Sequence, residues 1–138
     1  MSKQRGVEVS AEALIGDAWR VHAAWAWLDA EEGGQEEVRR PPHIGSLNLS
    51  YVDPSDAFSA TLTVRYNGET LDNNFTSTGG PRVTLPAFTL VNAGGDVRLN
   101  EGVRLFARIE NLFDETYEEV YTYRAPGRAA FVGLRAEF

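Results

Sequence analysis

The chain has 138 residues, 43% of them hydrophobic and 11% aromatic, which is enough for one domain with a modest core. Its 13 Lys and Arg side chains stand against 20 Asp and Glu, a formal net charge of -7, and this acidic excess argues against binding to nucleic acid or to anionic lipid. The chain contains no cysteine, so disulfides, thiolate metal sites and cysteine nucleophiles are excluded.

Long apolar runs are missing from the sequence. Residues 1–16 lack the apolar segment of a signal peptide, and no run of about 18 apolar residues predicts a membrane helix. Expressed alone and without a leader, the chain would stay in the cytoplasm. Strands that cross a membrane remain open, because their signal is alternation of apolar and polar residues.

The first two predicted strands are GVEVSAEA (6–13) and WRVHAAWAW (19–27), where every second residue is apolar. The short turn GDA (16–18) joins them. The long polar loop DAEEGGQEEVRRPP (29–42) follows, and its cluster of four glutamates would suit a calcium ion by charge. The cluster lacks the Asp-rich spacing of a calcium loop, so we expect a solvated surface there.

The next two predicted strands are GSLNLSY (45–51) and FSATLTVRY (58–66), joined by the turn DPSDA (53–57). Asn67-Gly68 then offers a two-residue hairpin, in which ETLDNNF would return beside the preceding strand. The alternative is that the strand ends there in the long loop 67–86. We favour the loop, because TLDNNFTSTGG alternates poorly.

The last three predicted strands are VNAGGDVRL (91–99), VRLFARI (103–109) and the segment 130–138. The turn NEG (100–102) joins the first two, and the long loop 113–127 precedes the last. The chain is thus predicted to be all-β, an antiparallel up-and-down meander of about seven strands of roughly nine to eleven residues. Short and long connections alternate, which places the short turns at one edge and the long loops at the other.

Two arrangements satisfy this alternation. In a membrane barrel the apolar face contacts lipid, whereas in a soluble sheet protein it points inward. Aromatic residues near strand ends favour the membrane barrel, since they match interfacial girdles: Trp19, Trp27, Tyr51, Phe58, Tyr66 and Phe138. The alternative is a soluble all-β binding module or symmetric oligomer with its apolar faces inward, which the absent leader favours.

Four blocks of sequence occur in an order that points to a known family. The first three are RGVEVSAEA, RRPPHIGSLNLSY and LPAFTLVNAGGDVRL. The fourth, residues 103–138, contains ENLFDETY (110–117), PGR (126–128) and a final strand that ends in Phe138. Together they resemble the C-terminal part of the β-barrel of TonB-dependent outer-membrane receptors, and the resemblance covers essentially the whole chain.

The resemblance implies a barrel of about 22 strands filled by an N-terminal plug domain. Such receptors import siderophores, cobalamin or oligosaccharides across the Gram-negative outer membrane, with energy supplied through TonB. Residues 1–138 would be the C-terminal barrel segment, with the plug, the TonB box and the earlier strands absent. We therefore expect a fragment that does not transport alone and that reaches TonB only through the missing region.

No catalytic constellation is found, so the chain is not predicted to be an enzyme, and no cofactor or metal site is predicted. His22 and His43 are expected to be polar wall residues. The resemblance implies a ligand vestibule that contains loop aromatics, the candidates being Tyr117, Tyr121 and Tyr123; the alternative is that they pack within the loops or in an aromatic girdle. Arg39 and Arg40 could bind an anionic ligand there, or they could neutralise the neighbouring glutamates. The candidates for the lumen wall are Arg65, Arg104 and Arg108.

The final strand carries a further expectation. By resemblance, Gly133, Ala136 and Phe138 form the signal that the barrel-insertion machinery recognises, with strand addition at an exposed sheet edge as the mechanism. The other expected partners are outer-membrane lipid and, at the unpaired edges, the remaining barrel and plug or a second copy of the chain. No nucleic acid is expected.

Overall fold

The computed structural model of the chain describes residues 1–137. Within them twelve β-strands occur: β1 (Ser2–Ile15), β2 (Trp19–Glu32), β3 (Gln35–Glu36), β4 (His43–Val52), β5 (Phe58–Asn67), β6 (Thr70–Asn73), β7 (Arg82–Leu85), β8 (Phe88–Asn100), β9 (Val103–Glu110), β10 (Glu118–Val120), β11 (Tyr123–Arg124) and β12 (Ala129–Ala136). No helix in this range is long and apolar enough to span a membrane.

Seven strands form the main sheet as an antiparallel meander in the order β1-β2-β4-β5-β8-β9-β12, and β3 adds to the end of β2. Each long strand pairs with the next long strand along the chain, which confirms the predicted all-β meander. The short turns fall at 16–18, 53–57 and 101–102, the third one residue shorter than predicted, and the seven strands span 8 to 14 residues against the nine to eleven expected. They lie at one end of the strands, which we call the turn edge; this name refers to the strand ends and not to the outermost strands β1 and β12.

The opposite, loop edge carries three long connections, which we call the first (33–42), second (68–87) and third (111–128) loop segments. The two-residue hairpin at Asn67-Gly68 does not form. Instead β6 pairs with β7 in a separate two-stranded sheet, and β10 pairs with β11 in another. The favoured prediction, that β5 ends there, is confirmed, while the two small hairpins were not predicted.

The strand register places apolar residues on one face of the main sheet and polar or small residues on the other. One row across five strands is apolar, and it consists of Val21, Leu49, Leu62, Ala93 and Ile109. The neighbouring row on the other face is polar or small, and it consists of Arg20, Ser50, Thr61, Gly94 and Arg108. Period-two alternation in the sequence therefore becomes one apolar and one polar face.

The buried core is small and lies near the loop edge, where Ala30, Leu85, Phe88 and Leu90 are enclosed. Most of the apolar face is open, as shown by Val9 at 60% exposure and Leu134 at 65%. The sheet is also open, since β1 and β12 end the strand order and do not pair with each other among residues 1–137. The chain thus leaves its apolar face for another phase or molecule to cover.

Candidate functional site

The loop edge is organised around the carboxylate of Asp72 in β6, which is 0% exposed. Its Oδ1 accepts hydrogen bonds from Arg39 Nε and from the Asn73 amide, both at 2.8 Å. Its Oδ2 accepts one from the Tyr121 amide at 2.7 Å. One carboxylate therefore receives donors from the first, second and third loop segments.

The same contacts determine the charge of Asp72. Burial alone raises the pKa of this carboxyl, but the amides of Tyr121 and Asn73 and the guanidinium of Arg39 outweigh that effect. The net result is a pKa below the ordinary value of 3.8. Asp72 is consequently a buried anion at neutral pH, with its donors supplied by the protein.

The two predicted ligand-binding arginines of the first loop segment differ sharply. Arg39 is anchored twice, because its amide also donates to the Leu71 carbonyl at 2.7 Å, and its φ of 59° lies in the left-handed region. Its Cζ lies 5.9 Å from the ring centroid of Phe75. Both side chains are exposed, Arg39 at 43% and Arg40 at 53%, but the contact of Arg40 with Glu37 is a long ion pair of 3.8 Å. Arg40 is therefore the less constrained of the two.

The three predicted tyrosines differ in exposure and in the contacts that they make. The ring of Tyr117 packs on the buried ring of Phe88, with centroids 4.5 Å apart. Tyr121 is half-buried and gives its amide to Asp72, whereas Tyr123 in β11 is 73% exposed. Ligand contact by these residues stays a prediction, and Tyr123 has the most open side chain.

Arg65 lies on the polar face near the loop edge, where it connects β5 to the third loop segment. Its Nη2 donates to Glu119 Oε1 at 2.5 Å, and its Cζ lies 5.4 Å from the centroid of Phe88. Because Phe88 also contacts Tyr117, a continuous stack joins the sheet to the loop. Arg65 therefore supports the third loop segment in addition to its predicted place on the lumen wall.

The other two predicted wall arginines also lie on the polar face. Arg104, near the turn edge, bonds to Asp96 through Nε and to Asp56 Oδ2 through Nη1 at 3.0 Å. Arg108 is more exposed, and its Cζ lies 4.4 Å from the ring centroid of Phe131. Arg104 is thus neutralised by carboxylates, while Arg108 keeps more of its surface free.

The motif ENLFDETY begins at the end of β9 and starts the long connection to β12. Asn111 is buried, and its side chain donates to the Glu115 carbonyl at 2.9 Å and accepts from the Glu115 amide at 2.8 Å. Asp114 Oδ1 accepts from the Arg128 amide at 2.8 Å, and a Cβ on Gly127 would lie 2.8 Å from that same oxygen. The blocks ENLFDETY and PGR are therefore two halves of one clamp at the base of the third loop segment.

The predicted insertion signal falls at the edge strand β12. A Cβ on Gly133 would lie 2.5 Å from Cζ of Phe106, so the ring of Phe106 occupies the space that the glycine leaves. Ala136 is exposed and pairs with Val103 in β9, and Phe138 lies outside the described residues.

Asp72 was not among the predicted site residues. Its partners Arg39 and Tyr121 lie 33 and 49 residues away in sequence, so no local spacing connects them. The available signal was weak: Thr70 and Asp72 alternate with Leu71 and Asn73, and the two former residues are the buried ones. Within residues 1–137 no cluster of three or more His, Asp or Glu side chains has a geometry that could hold a metal ion.

Comparison with known proteins identifies the family. The family model described as TonB dependent receptor-like, β-barrel, matches residues 2–112. The chain is 32% identical over 110 residues to the vitamin B12 transporter BtuB of Vibrio vulnificus (strain CMCP6), covering 78% of this chain and 17% of that protein. It is 26% identical over 138 residues to the vitamin B12 transporter BtuB of Vibrio cholerae (strain M66-2), covering 99% of this chain and 22% of that protein.

Solved structures share the fold. The ferripyoverdine receptor of the outer membrane of Pseudomonas aeruginosa matches with a TM-score of 0.83 and 18% identity over 99% of this chain and 20% of that one. The closed form of the ferric-catecholate import receptor Fiu from E. coli matches with a TM-score of 0.80 and 20% identity over 99% of this chain and 21% of that one. The chain thus spans 17% to 22% of the length of these relatives. It belongs to the family of TonB-dependent receptor β-barrels.

Proposed function

We propose that the chain is the C-terminal barrel segment of a TonB-dependent transporter in the Gram-negative outer membrane, and that it serves transport and not catalysis. The observation that carries the proposal is the meander with one polar face and one apolar face that the chain leaves uncovered. In a barrel, lipid covers the apolar face and the lumen hydrates the polar one.

The aromatic residues of the apolar face support a membrane setting. At the turn edge, Tyr51 contacts both Trp19 and Phe58, with ring centroids 4.8 and 5.2 Å apart. Nearer the loop edge, Trp25 stacks on His43 at 5.4 Å, so His43 lies on the apolar face and its prediction as a polar wall residue is wrong. His22, in contrast, lies on the polar face opposite Asn48. Two levels of aromatic rings separated by aliphatic residues correspond to the two interfaces of a bilayer.

The ligand is proposed to be a scarce compound of the cobalamin, siderophore or oligosaccharide class. Two of these classes match the relatives, which are named as vitamin B12 transporters and as receptors for ferripyoverdine and ferric catecholates. Tyr123 and Arg40 are the most accessible of the proposed vestibule residues. The plug and the contact with TonB would belong to other parts of such a receptor, and transport would require them.

The edge strand β12 is proposed to present Gly133, Ala136 and Phe138 to the barrel-insertion machinery. Its outer edge is unpaired among residues 1–137, so its backbone groups are available for strand addition.

Arginine placed on each face of β4 tests the membrane proposal. Leu47 lies on the apolar face and is 39% exposed, whereas its neighbour Asn48 lies on the polar face. We expect Leu47→Arg to lower the stability of the chain in lipid vesicles by about 2–4 kcal/mol, and Asn48→Arg to have a much smaller effect. Urea unfolding of vesicle-inserted protein measures both. Equal losses for the two variants would contradict the proposal, as would a monodisperse, cooperatively melting wild-type chain without detergent.

A further inference from the structure

The three loop segments are bonded to one another in a particular pattern. The first and second segments share the bonds from Arg39 to Asp72 and to the Leu71 carbonyl, and Arg82 Nη1 also donates to the Glu36 carbonyl at 2.5 Å. The second and third share the bond from the Tyr121 amide to Asp72. Among the hydrogen bonds and ion pairs of residues 1–137, the first and third segments are joined only through Asp72.

The buried position of Asp72 makes this junction cooperative. A buried carboxylate that loses one of its donors keeps the cost of desolvation without the full compensation. Movement of the first loop segment would withdraw Arg39 and leave the carboxylate with two amide donors. The remaining bonds then favour exposure of Asp72 to water, which also releases the Tyr121 amide of the third segment.

We propose that Asp72 is a positioning residue that couples the three loop segments, so that they open and close together as one gate at the loop edge. The coupling follows from the contacts, whereas its use as a gate for a transported ligand rests on the proposed function. A ligand that contacts Arg40 or Tyr123 would then change the order of all three segments, although each of these residues belongs to one segment only.

Amide hydrogen exchange of the full chain in detergent micelles tests the coupling. Each segment offers a reporter amide that does not bond to Asp72: Glu37 donates to the Ala30 carbonyl, Asn74 to Pro81 and Ala125 to Tyr117. We expect Arg39→Ala to speed exchange at Ala125 about tenfold or more, although among residues 1–137 Arg39 makes no hydrogen bond or ion pair with the third segment. Asp72→Asn should speed exchange at all three reporters.

Arg40→Ala is the matched control, because Arg40 is the neighbour of Arg39, is similarly exposed, and among residues 1–137 forms its ion pair, at 3.8 Å, within its own segment. It should leave the reporter at Ala125 unchanged. Arg39→Lys provides a milder variant that keeps a cation beside the carboxylate, and it should give a smaller rise at the same amide. Amides in the centre of β4 and β5 should keep their wild-type protection in every variant.

The proposal is overturned if Arg39→Ala and Arg39→Lys speed exchange in the first and second segments while Ala125 keeps its wild-type rate. It is also overturned if the sheet amides lose protection to the same extent, because the residue would then stabilise the fold as a whole. These measurements need no ligand. A failure of uptake in a complete receptor would count against the proposed function and leave the coupling as measured.

Discussion

Asp72 shows how a single side chain acquires a role that depends on residues far away in sequence. Alone, the segment TLDN predicts little, because a polar residue in a non-alternating stretch is most often solvated. In the structure this carboxylate is buried and has three donors from three segments. Arg39 and Tyr121 lie in the loops, as predicted, and both donate hydrogen bonds to Asp72 there. Their contact with a ligand stays a prediction.

The lowered pKa of Asp72 predicts how the loop edge responds to acid. Folding favours the ionised form, so this group contributes stability above its unfolded pKa, near 3.8, and the contribution is lost as the pH falls through the lower folded value. We expect the loop segments to stay closed at pH 5 and to open only below pH of about 3.8. Exchange at Ala125, corrected for the intrinsic effect of pH, measures this response.

Asp72→Asn should abolish that acid response, since the amide does not titrate. A local reporter is needed because Asp53, in a turn at the opposite edge, also has a pKa lowered chiefly by the hydroxyl of Ser55. Opening of the loops between pH 5 and pH 7 would contradict the assignment to Asp72.

At the scale of elements, the seven long strands were predictable and the small hairpins were not. Alternation survives in the sequence of the long strands because each separates two different environments along its whole length. The hairpins β6–β7 and β10–β11 have strands of two to four residues, too short for a period of two to stand out. Their positions depend on contacts such as those of Asp72 and Arg65, which bring distant segments together.

The pair β9–β12 carries a prediction about Gly133. An alanine there would place its Cβ 2.5 Å from the present position of Phe106 Cζ, so the ring must rotate out of its position across the strand. We expect Gly133→Ala to destabilise the chain by about 1 kcal/mol through this rearrangement. Urea unfolding in micelles measures the loss.

The double variant Gly133→Ala/Phe106→Leu is the matched test, because a smaller side chain at position 106 removes the clash. It should be more stable than expected from the sum of the two single variants. Simple additivity would contradict the assignment of the loss to contact with Phe106.

Over the whole molecule, the excess of negative charge lies in the connections at both edges of the sheet. The three loop segments contain eight acidic residues against five basic ones, and the three short turns contain four acidic residues and no basic one. These connections together account for the net charge of -7 for the entire chain. The rest of the chain is balanced, and on its polar face arginines pair with carboxylates, as Arg104 does with Asp96. Both edges are therefore negative, and the strands between them are neutral overall.

This distribution predicts a difference between charged probes. At low salt, a cationic paramagnetic agent should broaden the resonances of amides in the turns and loop segments more than an anionic agent of similar size. The difference should fade toward 1 M salt, where the Debye length is about 3 Å. Amides in the centre of β4 and β5, where charge is balanced, provide the internal control. Equal broadening by both agents at low salt would contradict the expectation.

The strand order of the main sheet has a consequence for how such proteins change over time. Every long strand pairs with its neighbours along the chain, so the sheet is a series of local hairpins with no distant crossover. Gain or loss of one hairpin by duplication or deletion leaves the pairing of all the others intact. The hairpin is thus the smallest piece of this sheet whose addition or removal leaves the other strand pairings unchanged.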